Sequence, residues 1–434
     1  FDKQKVLLIT LTISLLGLKE QNDRVPDLFG RYFQFMEIYR MKKSLLAVAA
    51  LSAIAGAAQA QSSVTIYGVL DAGYINQKSD GSSTNAYNRA SSSSFGQSAE
   101  QTSRLGFKGT EDLGGGMSAL FVVETGLQPS NTTASTWNNR QSFVGLKKNG
   151  AGQFTIGTQY TPAFQALSAT DVGQTNNMPG SAVYPQSITA NAGNSGVAPF
   201  AAAGGPGNAT DGVTVRTSNT AQAQSDNFAG FTLGASYTQN GATTSPTNTT
   251  ATTNNYTGWG VKLDYTWNKL YVVGALNQLK SYNPSPSVTS VTTSSPALWN
   301  TASGGNNTQD NQAYAAATYD FGILKAYLQY INRKDTSTVN TNYYGQRRAQ
   351  QIGVRSYITP TIEGWANIGN GRLTSYGASN PSANFVAWQA GLNYYLSKRT
   401  NVYGIYGSNN MSSAAPVNPA LNTSAFALGV RHTF

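Results

Sequence analysis

The chain has 434 residues, 29 of them basic and 19 acidic, a net charge of +10, one histidine and no cysteine. Charged residues make up only 11%, far below the quarter usual for a soluble globular domain, and the mean hydropathy is −0.30. These values exclude a disulfide framework and a helical membrane protein, but not a membrane barrel, whose lumen face and loops are polar.

Residues 1–40 carry a short apolar run from Val6 to Leu18 and stand ahead of a second, better-formed start at Met41. We set them apart as an upstream extension; the alternative is a second targeting element. Residues 41–60 read as a secretory signal peptide. Lys42 and Lys43 form the charged start, an apolar stretch runs from Leu45 to Ala58, and Ala58-Gln59-Ala60 gives the small-x-small cleavage site. The exported part is then 61–434, a single barrel domain. Residues 1–60 hold eight of the basic and five of the acidic residues, so a net charge of +7 remains. Its cations are scattered singly, without the stripe that would track a nucleic-acid backbone.

From there the dominant signal is alternation with period two, broken by Asn, Gly, Ser, Thr and Pro. Sixteen strands are expected. They begin near Val64, Thr102, Gly116, Asn139, Gly152, Val213, Gly230, Tyr256, Lys269, Asp310, Gly322, Gln346, Thr361, Phe385, Arg399 and Thr423. Their connections alternate between tight turns, such as Lys148 to Gly152 and Trp267 to Lys269, and long polar loops, such as 77–101, 241–255, 283–309 and 408–422. An outer-membrane barrel sorts its loops this way, and a soluble sandwich has no reason to. An even count returns both ends to one rim, and sixteen strands enclose an aqueous channel where eight would be filled by side chains. Aromatic residues at Ile66-Tyr67, Tyr394-Tyr395, Val402-Tyr403 and Ile405-Tyr406 are read as interfacial girdles.

One connection is out of scale: about fifty residues separate Tyr160 from Val213. Such a loop can fold into the lumen, where irregular backbone is tolerated, or lie outside without order. The last strand alternates to its final residue. Phe426, Leu428, Val430, His432 and Phe434 share one face, predicted to meet lipid. An amphipathic strand ending a soluble sandwich would show the same pattern locally.

Several motifs spread over the exported chain carry a family resemblance. They are Ser63-Val64-Thr65-Ile66-Tyr67-Gly68-Val69-Leu70-Asp71, Ser103-Arg104-Leu105-Gly106-Phe107-Lys108-Gly109, Asn139-Arg140-Gln141-Ser142-Phe143-Val144-Gly145-Leu146, Leu396-Ser397-Lys398-Arg399-Thr400 and Gly429-Val430-Arg431-His432-Thr433-Phe434. In these the chain resembles the Gram-negative general porins, in their anion-preferring branch. The resemblance implies an all-β fold, a sixteen-stranded antiparallel transmembrane barrel with the third external loop folded into the lumen. It implies a homotrimer in the bacterial outer membrane, in contact with lipid and lipopolysaccharide, forming a diffusion channel for small hydrophilic solutes and anions. Arg104, Arg140 and Arg216 are the positions it implies for a cationic constriction; of the long loop's only acids, Asp171 and Asp211, we take Asp171 as their partner. Phe426, Leu428, Val430 and Phe434 are similar to the carboxy-terminal signal read by the outer-membrane assembly machinery. The chain departs from the family where Thr158 follows Gly157 and at Arg216-Thr217-Ser218-Asn219-Thr220. A selective channel for particular anions or small nutrients is the alternative.

Enzymatic function is not expected. A hydrolase would need a Ser or Asp nucleophile with a His base, and the sole His432 falls on the lipid-facing parity. No metal site and no cofactor are expected either, since Cys is absent.

Overall fold

Alternation of one bulky apolar residue with one small or polar residue commits most of the exported chain to strands, and the computed structural model bears this out. It describes residues 63–434 except 84–85, 131–139, 186–211, 242–254, 283–307, 339–340, 343, 377–381 and 413–420. The upstream extension and the signal peptide therefore lie outside the described residues. The first strands are β1 (Ser63–Ser83), β2 (Ala86–Gln97), β3 (Arg104–Gly114), β4 (Met117–Gly126), β5 (Ser142–Lys148) and β6 (Gly152–Tyr160). A nine-residue helix, α1 (Pro162–Thr170), follows, then β7 (Arg216–Ser225), β8 (Phe231–Asn240), β9 (Asn255–Trp267), β10 (Leu270–Tyr282) and β11 (Thr308–Asp320). The series ends with β12 (Lys325–Ser337), β13 (Tyr344–Thr359), β14 (Ile362–Tyr376), β15 (Ser382–Tyr395), β16 (Thr400–Met411) and β17 (Leu421–Thr433).

Strands pair antiparallel with their chain neighbours, and β1 closes the sheet against β17, with Val69 opposite Thr433 and Ala72 opposite Val430. On its other edge β1 meets two segments in succession: β2 from Ala72 to Ser83 and β3 from Ser63 to Val69. Thus β2 and β3 are one strand position interrupted at 98–103, and the barrel has sixteen positions. Loop 77–101, expected to be irregular, instead forms the distal hairpin of β1 and β2. Its Ser- and Asn-rich sequence lacks apolar alternation, so nothing in its pattern announces a strand.

Tight turns join β3 to β4, β5 to β6 and each such pair through β15 to β16, all on the rim that also holds Ser63 and Phe434; the long connections leave the strands at the other rim. The outward face is apolar around the ring. Val64, Ile66, Leu233, Leu263, Leu276, Leu328, Ile352, Ile368, Leu392 and Leu428 are exposed, while Thr65, Asp71, Gln329, Gln351 and Gln389 alternate to the inside. In β17 the terminal side chains Phe426, Leu428, Val430 and Phe434 point outward, as does His432.

The aromatic residues divide. Tyr394 and Tyr406 are exposed on the outside, with Phe228, Trp267, Phe321 and Tyr357 near the tight-turn rim. Tyr67, Tyr395 and Tyr403 turn inward instead, donating to Glu124, Glu363 and Asp71 respectively. A Tyr–Tyr pair in a strand must place one ring on each face, so adjacency cannot assign both to a girdle.

Candidate functional site

The inner surface is organised by the long connection between β6 and β7. Thr161 caps α1 through its Oγ1, which accepts from the Phe164 amide at 3.2 Å, and Pro162 opens the helix where no backbone donor is needed. Phe164 and Leu167 are buried against Val273, Ala275, Tyr314 and Ile331 of the inner wall. Past the helix the backbone runs along β13–β16, held by side chains that point into the barrel. Arg355 donates to the Val172 carbonyl at 2.6 Å and Arg347 to the Ala182 carbonyl at 2.7 Å. Gln351 accepts from the Ala182 amide at 2.7 Å. Gln389 donates to the carbonyls of Met178 and Pro179 at 2.8 and 2.7 Å. Gly180, at φ +107, comes so near the Trp388 carbonyl that a Cβ there would collide with it. On the far side Asn177 reaches the 98–103 interruption. Its amide donates to the Ala99 carbonyl at 3.0 Å and its side chain to the Ser98 carbonyl at 2.6 Å. The interruption is itself anchored by Asp71, which accepts from the Glu100 and Gln101 amides at 2.9 and 2.6 Å.

The described part of the long connection therefore lines the interior along β9–β11 and β13–β16, and meets the inner wall of β3–β7 at Tyr160 and at the start of β7. There the structure brings Arg104, Arg140 and Arg216 together. Tight turns fix the register that does so. The Gly114-Gly115-Gly116 turn sets Glu124 opposite Gly106, and the β5–β6 turn carries Arg140 to the level of Tyr160. Gly106 has no side chain, so the Tyr67 ring lies across it and its hydroxyl donates to Glu124 at 3.1 Å; a Cβ at 106 would collide with that ring. Glu124 also pairs with Arg140 through Nε and with Arg104 at 3.4 Å. Arg140 Nη2 donates to the Tyr160 hydroxyl at 2.9 Å, and the Arg216 guanidinium sits 5.9 Å from the centre of the Tyr160 ring. Two of the three cations thus share one carboxylate and the third lies over an aromatic ring, a surplus of two positive charges. Arg140 side-chain parity, ambiguous from the sequence, is inward.

Asp171 does not join this group. It ends α1, is buried, and accepts from the Thr175 amide at 2.6 Å, on the side of the loop that faces Arg355. Burial pushes its carboxyl up to about 6, against the hydrogen bond and Arg355, which pull it down. Glu124 takes the part the sequence reading gave to Asp171. What the loop exposes inside the barrel is neutral: Ser168, Ala169 and Gln174, with Gln165 and Asn177 half-buried. Asp211 lies outside the described residues.

Glu124 escaped the sequence reading because it shares the inward parity of Leu120 and Val122, and a strand with apolar residues on both faces hides its polar member. Counting residues back from the triple-glycine turn would have placed it beside Arg104. The loop anchors Arg347, Gln351, Arg355 and Gln389 were also missed, since their partners are backbone groups with no sequence signature.

A family model described as Gram-negative porin matches residues 47–414. Outer membrane porin protein 32 of Delftia acidovorans is 35% identical over 204 residues, 45% of this chain and 49% of that protein; the chain thus spans about half the length of that relative. An outer membrane porin protein of Bordetella pertussis is 28% identical over 316 residues, 68% of this chain and 70% of that protein. The solved anion-selective porin from Comamonas acidovorans superposes on 86% of this chain and 100% of its own with a TM-score of 0.63, at 23% identity, a likeness of fold. The closed barrel, the outward apolar face and the match over most of its length together place the chain in the Gram-negative porin family.

Proposed function

We propose that the protein is an outer-membrane porin, a water-filled channel for passive diffusion of small hydrophilic solutes that prefers anions. The observation that carries this reading is the arginine cluster on β3–β7, three cations against the one carboxylate of Glu124, facing a loop edge without charge among the described residues. A solute crossing the barrel passes fixed positive charge with no acid opposite it among the described residues, and fixed charges in a narrow aqueous path select by sign. Arg104, Arg140 and Arg216 form the constriction with the neutral loop edge; Asp171 serves the loop's own fold.

The same reading places the chain in the bacterial outer membrane after export and signal cleavage, assembled as a homotrimer. The outward side chains of Phe426, Leu428, Val430 and Phe434 suit recognition by the assembly machinery, and the apolar wall suits lipid and lipopolysaccharide. A channel built around one nutrient would be favoured by an exposed aromatic track. The aromatic trio of the loop region, Tyr160, Phe164 and Tyr184, has ring centres 4.8 and 5.9 Å apart, but Phe164 and Tyr184 are buried between helix and wall. That supports general diffusion.

Reversal potentials in planar bilayers under a salt gradient test the proposal. Anion preference is expected, the anion-to-cation ratio falling about sixteenfold in Arg104→Ala with Arg140→Ala, since each unit charge some 10 Å away in water is worth about 0.4 kcal/mol, with opposite sign for anion and cation. Cation preference in the parent protein would refute it.

A further inference from the structure

The arginine cluster is not the last fixed charge on its wall. Four residues along β3 towards the tight-turn rim, Lys108 has the inward parity of Arg104. It is exposed, and its ammonium lies 5.4 Å from the centre of the Tyr67 ring, whose hydroxyl is bound to Glu124. The register carries the series on. Lys108 faces Val122 on β4; four residues further, Asp112 faces Ser118, which in turn faces Lys147 on β5. Val144 and Leu146 are exposed on the outer face, so Lys147 between them and the turn projects inward, half-buried.

Each step of four residues covers about 13 Å along a strand, and about 10 Å along the axis of a barrel whose strands tilt by about 40°. The screening length is also about 10 Å in 0.1 M salt. The fields of successive cations therefore meet in dilute solution and separate in concentrated solution. Little opposes them. Among the described residues the inward acids of β1–β5 are Asp71, Glu124 and Asp112. Asp71 accepts from the amides of Glu100 and Gln101, and Glu124 is shared by Arg104 and Arg140. Asp112 lies at the level of Lys147 but closes its own turn, accepting from the Gly114 amide at 2.9 Å. Towards the other rim the inward positions of β1 are neutral: Gly73, Ile75, Gln77 and Ser79.

We propose that Lys108 and Lys147 are specificity-determining residues of the channel, further stations for a permeating anion on the tight-turn side of the arginines. They make anion preference sided, strongest when the dilute solution bathes the tight-turn rim. The proposal rests on the channel reading above.

The chain has no cysteine, so Lys108→Cys and Lys147→Cys each supply a single thiol. Single channels of the refolded full chain are recorded between about 0.1 M and about 1 M salt, with the gradient in each direction. The thiol is then modified with a cationic, a neutral or an anionic methanethiosulfonate. The bath from which a bulky reagent reaches Lys147→Cys faster marks the tight-turn side. With that side dilute, Lys108→Cys should lower the anion-to-cation ratio by about fourfold, the Coulomb scale for one charge near 10 Å acting oppositely on the two ions. The cationic adduct should restore the ratio, the neutral one should not, and the anionic one should lower it by a similar factor again. Lys147→Cys should give the same order with a smaller span, because Asp112 shares its level. With the gradient reversed these changes should vanish. Equal ratios for the three adducts, changes independent of gradient direction, or a thiol at 108 that no reagent reaches would each overturn the proposal. A cation-preferring parent whose adducts still follow the stated order sinks only the anion-channel reading, and an anion-preferring parent indifferent to the adducts sinks only the lysine stations.

Discussion

The two halves of the inner wall use the same residue type for opposite ends. On β11–β14 the arginines are neutralised or tied to backbone: Arg333 pairs with Asp310, Arg355 with Glu363 and the Val172 carbonyl, and Arg347 with the Ala182 carbonyl. On β3–β7 Arg104 and Arg140 share Glu124, and Arg216 lies over the Tyr160 ring. The difference follows from the loop. Where the loop lies on the wall, water is excluded and each buried charge requires a partner; on β3–β7 Arg216 and Glu124 are buried too, but Arg104 and Arg140 keep part of their side chains open to the lumen and the excess charge acts on whatever passes. Charge that shapes permeation and charge that holds the loop are thus separated around the ring.

The strongest way to break this separation is to unbalance the anchored half. Arg355→Met leaves Glu363 buried beside Tyr395 and Asn393 without its cation, and loss of one partner of a buried pair costs about 3–5 kcal/mol. Urea unfolding of the refolded barrel, followed by tryptophan fluorescence, should register that loss. Arg355→Met with Glu363→Leu should recover much of it. A single variant as stable as the parent would mean that the anchored half does not bind the loop. Next in size is Gln389→Leu, which strips two loop carbonyls of donors at 2.8 and 2.7 Å and costs about 1–3 kcal/mol. Single-channel recordings should then show a noisier open level, because the backbone at Met178 and Pro179 has lost its attachment.

How far the sequence carried the argument follows the same division. Strand starts fell within three residues of their positions because each outward face is apolar and each tight turn has its own chemistry, both local signals. β2 was missed because Ala86–Gln97 has no apolar face to bury. Arg104, Arg140 and Arg216 were legible through the family motifs, with parity adding support for Arg104 alone. Glu124 and Gln389 were not, since their roles come from the register between strands and from a loop that returns after many residues. Asp171 was misplaced for that reason: lying in the loop does not say which side of the loop it faces.

The open half is sharpened by Glu124→Gln. Removing the one shared carboxylate should raise the anion-to-cation permeability ratio by about fourfold on the Coulomb scale for one charge near 10 Å, which acts with opposite sign on the two ions. The gain should vanish in about 1 M salt, where the screening length falls to about 3 Å. An unchanged ratio at low salt would show that Glu124 lies outside the field felt by the permeating ion.

Asp171 gives the smallest effect and tests the boundary between the halves. Its carboxyl is held at about 6 when folded and returns to about 3.9 in the unfolded chain. Between those values the native state binds more protons than the unfolded one, so this group's contribution to stability falls as pH rises from about 4 to about 6. With at most one proton involved, the slope cannot exceed about 1.4 kcal/mol per pH unit. Asp171→Asn should flatten that segment of the stability profile while leaving ion preference at neutral pH unchanged. A shift in reversal potential would place the carboxylate in the conducting path, and the loop edge could no longer be treated as neutral.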